Sequence, residues 1–213
     1  MHKAVLFDFD GTFADTAHDL ISAANIIYHL YNKEPINFEE GRAIASDGIR
    51  AFLNMRFNEE EYDFSSLAQE FLNCYRENIL NNPFLFAGIC ELIDFINKKK
   101  MNWGIVTNKP RSLTESILKH HKLNSLDVLL CGDDGFTPKP APDLLNEAKR
   151  ILGIEANEAI YVGDGKRDIV SANAAGMYSV LACYGYLKTT DQIEDWQANM
   201  IIHQPSDLIT LIA

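Results

Sequence analysis

The sequence is short of positive charge. It sets 19 Lys and Arg against 30 acidic residues, a formal net charge of −11 with a pI near 4.9. A surface of that sign repels nucleic-acid backbones and anionic membranes, so neither is an expected partner. Any phosphate-bearing ligand would need cations placed locally. Cysteine is scarce too. Cys74, Cys90, Cys131 and Cys183 are widely spaced with no CxxC pair, which predicts neither a zinc site nor a disulfide framework and points to a reduced, cytoplasmic setting. No apolar run approaches the ~18 residues of a spanning helix. A strand beginning almost at Met1 leaves no room for a signal peptide, and repeats and low-complexity tracts are missing. What is present is 213 residues, 47% of them hydrophobic. That suits one large domain, or one domain with a smaller one inserted.

The apolar pattern changes twice along the chain. After a short run at Val5-Leu6-Phe7 and a polar turn, Leu20, Ile21, Ala24, Ile27, Tyr28 and Tyr31 recur at helical spacing. Further helices are predicted around 38–45, 49–57 and 65–80, the last with Leu67, Phe71, Cys74, Tyr75 and Ile79 on one stripe. No strand is expected from Asp15 to about Pro83, and Asn81-Asn82-Pro83 breaks the pattern. Beyond it, helices at 89–100, 112–121, 143–152 and 168–175 alternate with strands at 103–106, 128–131, 159–162 and 179–182. A short strand at 200–202 and a helix from about 206 close the chain. Alternation of this kind implies right-handed βαβ units, hence an α/β, Rossmann-like parallel sheet covered by helices. The expected organisation is a core of residues 1–14 and 87–213, interrupted after its first strand by an α-helical cap at 15–86. Joints are expected near 14–16 and 83–87.

In such sheets ligands bind beyond the C-terminal strand ends, and here those ends are polar. The first reads Asp8-Phe9-Asp10-Gly11-Thr12. Carboxylates spaced i, i+2 project to one side, and crowding them either recruits a cation or keeps one protonated. A plain polar turn has the same composition. The second end, Thr107-Asn108-Lys109, offers a hydroxyl and turn amides to a phosphate oxygen. In Pro138-Lys139-Pro140-Ala141-Pro142, three prolines stiffen the backbone around Lys139, a candidate phosphate clamp. The last end, Gly163-Asp164-Gly165-Lys166-Arg167-Asp168, carries a second acidic pair. Hard oxygen donors without a His or Cys cluster suit Mg²⁺. Asp164 is the direct ligand in this reading, and Asp168 a helix cap that orients its neighbours. In the helical block, Ala45-Ser46-Asp47-Gly48-Ile49-Arg50 reads as a glycine turn opening a helix, with Arg50 available to a substrate carboxylate or sugar hydroxyl. Asp47 adds negative charge there, which weighs against a small dianionic substrate.

Taken together, Asp8–Thr12, Thr107–Lys109, Lys139 and Gly163–Asp168 resemble, in order and type, the four motifs of the haloacid-dehalogenase-like hydrolases. Asp15-Thr16 and Ala174-Ala175-Gly176-Met177 make the chain similar to the phosphoglycolate phosphatase group. The resemblance implies a Mg²⁺-dependent phosphatase acting on a small phosphate ester, as a monomer or homodimer. It implies that Asp8 attacks phosphorus to form an aspartyl-phosphate and that Asp10 handles the proton of the leaving alcohol and then of water. Mg²⁺ would be held by Asp8, Asp164 and the main-chain carbonyl of Asp10; Thr107, Asn108 and Lys139 would neutralise the transferring group. Gly11 and Thr12 would support the turn and Asp10. Asp47, Gly48 and Arg50 would set specificity. True dehalogenases lack the equivalent of Asp10, and no cap lysine suits a phosphonate-cleaving Schiff base. Gly48-Ile49-Arg50, Gly163–Ile169 and Tyr184-Gly185-Tyr186 also resemble the N-acetylmuramic acid 6-phosphate phosphatases. A phosphosugar mutase shares the same aspartates, and a non-enzymatic phospho-receiver module is the alternative of another class.

Overall fold

The computed structural model describes residues 2–82, 84–123 and 125–213. Its centre is β1 (Ala4–Phe7), all four residues of which are buried. A strand apolar on both faces belongs inside a parallel sheet with helices on either side. Five further strands complete the sheet: β4 (Asn102–Val106), β5 (Val128–Leu130), β6 (Ala159–Gly163), β7 (Tyr178–Ala182) and β8 (Met200–Ile202). Their order is β5-β4-β1-β6-β7-β8, with every neighbouring pair parallel. β1 therefore has β4 on one side and β6 on the other. The sheet is built outward in one direction through β4 and β5 and in the other from β6 to β8, so the reversal that opens a crevice lies at the end of β1.

Between β1 and β4 come α1 (Ala17–Leu30), α2 (Phe38–Arg42), α3 (Ile49–Asn54) and α4 (Phe64–Asn78). They pack on one another around Tyr28, Phe52 and Phe71. The stretch expected as a helix over 38–45 ends at Arg42 and continues as a 3-10 turn, Ala45–Asp47, that leads into Gly48. The helix expected over 49–57 stops at Asn54. The absence of strand expected from Asp15 onward needs correction. Ala14–Asp15 (β2) pairs antiparallel with Phe84–Leu85 (β3), so the two chain crossings run side by side. Two residues per strand are too few to leave an alternating pattern. Pro83, part of the predicted breaker and joint, lies outside the described residues.

The remaining helices are α5 (Ile89–Lys98), α6 (Arg111–His120), α7 (Asp143–Leu152), α8 (Lys166–Ala175) and α9 (Ile209–Ile212). α8 begins two residues before the predicted start. Asp168 is consequently inside its first turn, where Oδ2 accepts from the Gly165 N–H at 2.9 Å. One apolar cluster joins a sheet face to the helical insert, with Phe13 stacked on Trp103 at 5.9 Å. A second, around Leu6, Val106, Tyr161 and Leu144, fills the other face. Among the described residues no helix is long and apolar enough to cross a membrane.

Candidate active site

Asp8 follows β1 directly, and its N–H donates to the Val162 carbonyl at 2.8 Å, so the ladder with β6 holds it rigidly. Its carboxylate is buried, with Oδ1 2.8 Å from Lys139 Nζ. The same ammonium lies 2.6 Å from Asp168 Oδ1 and 2.6 Å from the Tyr161 hydroxyl. Lys139 is fixed through its backbone: its N–H donates to Asn108 Oδ1, and Asn108 Nδ2 donates to its carbonyl, each at 2.9 Å. The Asn108 carboxamide is thus spent on placing Lys139. Thr107 is buried at the end of β4, and its hydroxyl accepts from the Lys109 N–H at 3.2 Å.

Asp8, Asp164 and Asp168 present carboxylate oxygens that all lie within 4.8 Å of one another, and all three residues are buried. Two cations, Lys139 and Arg167, face these three acids. Burial pushes the Asp8 carboxyl upward, yet Lys139 and Arg167 outweigh it and hold Asp8 below the usual carboxylate range. Among the described residues Asp164 makes no ion pair with either cation. Burial first, then the charges of Asp168 and Asp8, push it up to about 7. Burial and the charge of Asp8 also raise Asp168. Surplus negative charge on hard oxygens is the donor set that a divalent cation neutralises.

Close approach makes this packing possible. Gly11 has φ +82°, and a Cβ there would fall 2.2 Å from Asp164 Oδ2. Gly185 lies equally close, since its Cβ would meet Asp164 Cβ and the Gly11 carbonyl at 2.3 Å. Asp164 accepts from Thr12 Oγ1 at 3.3 Å, Ser46 Oγ at 2.7 Å and the Tyr186 N–H at 2.8 Å. Thr12, expected to support the turn and Asp10, donates its hydroxyl to Asp164. Asp10 is held by Thr16, whose Oγ1 donates to Oδ1 at 2.6 Å. Lys109 Nζ adds contacts of 2.9 and 3.0 Å to the two oxygens of Asp10. Thr16 gives up the usual side-chain cap of α1 for this bond. In its place the Tyr186 hydroxyl accepts from the N–H groups of Thr16 and Ala17.

The insert closes the space above. A cavity of about 250 Å³ is lined by Asp8, Asp10, Thr107, Asn108, Lys109 and Arg167 below, and by Ser46, Gly48 and apolar side chains above. Gly48, at φ +81°, opens α3 and lines this cavity. Asp47 bonds Lys188 at 2.6 Å and lies 3.8 Å from Arg167. Arg50 is elsewhere. It is exposed and paired with Glu59. Sequence reasoning did not assign Thr16, Ser46, Tyr75, Lys109 or Arg167. The signal for Lys109 was its place directly after Thr107-Asn108; Tyr75 reads only as one more residue of an apolar helical stripe.

Comparison with known proteins identifies the architecture. A family model for haloacid dehalogenase-like hydrolases matches residues 5–182. The chain belongs to this family. The N-acetylmuramic acid 6-phosphate phosphatase of Pseudomonas aeruginosa is 35% identical over 99% of this chain and 94% of that protein. A phosphoglycolate phosphatase of Xanthomonas campestris pv. campestris strain 8004 is 36% identical over 97% of this chain and 94% of its own. A haloacid dehalogenase-like hydrolase of Streptococcus pneumoniae superposes with a TM-score of 0.87 at 18% identity, covering 100% of this chain and 99% of that one, which shows a shared fold. The family suggested by the four motifs is therefore the right one. Both groups that this haloacid dehalogenase-like hydrolase resembled are represented among its relatives at nearly equal identity.

Proposed function

We propose that this hydrolase is a phosphatase that cleaves a small-molecule phosphate monoester through an aspartyl-phosphate on Asp8. The observation that carries the reading is the setting of Asp8: buried at the sheet's reversal point, ion-paired to Lys139, on the floor of a cavity that also holds Asp10. A carboxylate held ionised there is a competent nucleophile. One Asp8 oxygen would attack phosphorus as the ester P–O bond breaks, and Asp10 would give its proton to the departing alkoxide. In the second step Asp10 would take a proton from water, whose oxygen attacks phosphorus and returns Asp8 as a free carboxylate. Thr107, the Asn108 main chain, Lys139 and Arg167 would offset charge on the transferring group.

Mg²⁺ fits the cluster of Asp8, Asp164 and Asp168, together with the Asp10 carbonyl implied by the family resemblance. When bound it would offset charge on the phosphoryl oxygens. We assign residues 15–86 to a cap over a core of 1–14 and 87–213, hinged at the β2–β3 ribbon, that excludes water when closed. The same reading places a monomer or homodimer in a reducing cytoplasm, with its four cysteines free. Purified protein with Mg²⁺ is expected to release inorganic phosphate from members of a panel holding 2-phosphoglycolate, N-acetylmuramate 6-phosphate and sugar phosphates. Asp8→Asn or chelation should abolish release. A panel that yields no phosphate at all would overturn the reading.

A further inference from the structure

We infer that Tyr186 is a positioning residue of the proposed reaction, its hydroxyl fixing the main chain of Thr16 so that the Thr16 side chain can hold Asp10. The inference rests on the phosphatase reading above. Tyr186 belongs to the loop after β7, outside all four strand-end motifs and 170 residues along the chain from Thr16. It is 3% exposed. The Arg42 guanidinium lies 5.1 Å from the centre of its ring, and Phe86, just past β3, lies 6.3 Å away. The loop therefore packs against both chain crossings that join insert and core.

A tyrosine hydroxyl has one proton to donate and two lone pairs, and here all three are used. It donates to Asp15 Oδ1 at 2.8 Å and accepts from the N–H groups of Thr16 at 2.6 Å and Ala17 at 3.0 Å. Thr16 and Ala17 are 1% and 0% exposed, so losing that acceptor leaves two buried donors unsatisfied, a cost the chain relieves by moving. The nearest relief is for Thr16 to turn its own oxygen to the start of α1, the usual role of a threonine at a helix N-cap. Either way Oγ1 leaves Asp10, which it now reaches at 2.6 Å. Lys109 would then be the remaining partner of the Asp10 carboxylate among the described residues.

The test compares the full chain with Tyr186→Phe, Thr16→Val and the double variant, all with Mg²⁺, on the fastest alkyl ester of the panel above and on p-nitrophenyl phosphate. Tyr186→Phe keeps the ring and the main-chain N–H that Asp164 accepts at 2.8 Å, so KM and the Mg²⁺ concentration for half-maximal rate should hold. On the alkyl ester kcat/KM should fall about tenfold, short of the full range of general acid–base catalysis because Lys109 still holds Asp10. On p-nitrophenyl phosphate, whose phenolate departs without a proton, it should change by less than about threefold. The double variant should fall no lower than Thr16→Val, because the two side chains act through one contact. Equal losses on the two esters, additive losses in the double variant, or an unchanged Tyr186→Phe protein would overturn the inference and leave the phosphatase intact. If p-nitrophenyl phosphate is inert, the double-variant comparison decides. If Tyr186→Phe does not fold, Asp15→Ala, which frees the proton of the hydroxyl without touching the ring, takes its place: a loss confined to the alkyl ester supports the inference, and an even loss or none overturns it. If the unaltered protein releases phosphate from no alkyl ester, the phosphatase reading itself fails.

Discussion

Lys109 Nζ sits 2.9 and 3.0 Å from the two carboxylate oxygens of Asp10, inside a pocket closed on its far side by the Tyr75 hydroxyl at 2.7 Å. The lysine comes from the loop after β4, the aspartate from the loop after β1 and the tyrosine from α4 of the insert. One ammonium thus links Asp10, the acid and base of the proposed mechanism, to helix α4 of the insert.

Removing that ammonium should loosen Asp10 without emptying the pocket. Lys109→Met is expected to lower kcat by about 10²-fold, the lower end of what general acid–base catalysis contributes. KM should move little. Tyr75→Phe keeps the ring packing and loses one hydrogen bond, so a loss under about tenfold is expected. Steady-state kinetics on one phosphate ester checks both; an unchanged kcat in Lys109→Met would remove the lysine from any role in positioning Asp10.

Lys139 is the buried counterion of two carboxylates, at 2.8 Å from Asp8 and 2.6 Å from Asp168. Lys139→Met leaves both acids crowded without their contacting cation, with Arg167 as the remaining positive charge nearby, and losing one partner of a buried pair costs about 3–5 kcal/mol. Denaturant unfolding without metal should show that loss. Added Mg²⁺ should recover part of it, because a divalent cation replaces the missing positive charge, while turnover stays lost.

Asp164 makes metal-free stability depend on pH. Its carboxyl is pushed from the ordinary 3.8 up to about 7 by burial and by the neighbouring acids. A group raised in the folded state contributes stability that is fully present below its unfolded value and lost as pH rises through the folded one. Metal-free protein should therefore melt at a lower temperature at pH 7.5 than at pH 5.5, with each kcal/mol worth about 2–4 °C in a chain of this size. Saturating Mg²⁺ should abolish that slope by binding the ionised form. Asp164→Asn should flatten it without metal; a slope that survives the substitution would place its origin in another group.

Much of the fold and the motif positions were legible because they rest on local signals. Apolar strands bounded by Gly and Asp, helices with a regular stripe, and polar strand ends each announce themselves within ten residues or so. Asp8, Asp164 and Lys139 could be located this way because a parallel sheet brings all its C-terminal strand ends to one edge. Thr16, Ser46, Tyr75 and Arg167 could not. Their roles depend on which neighbour they meet across loops far apart in sequence, as with Ser46 on Asp164, 118 residues away. Arg50 shows the reverse. Its position suggested a substrate contact, and an acidic residue nine positions along, Glu59, captures it instead.

By itself the sequence determined the α/β rhythm, the helical interruption after the first strand and the family, because periodicity and strand-end chemistry are written along the chain. Tertiary structure decided how the charges are shared. Whether a lysine lies against Asp8 or holds Asp10, and that Asp168 joins the acid cluster as well as capping its helix, depends on distances of about 3 Å between segments that only packing brings together. It also decided that the wall facing the Asp8-Phe9-Asp10 turn is hydrocarbon, since helices distant in sequence supply it together with one loop of the core.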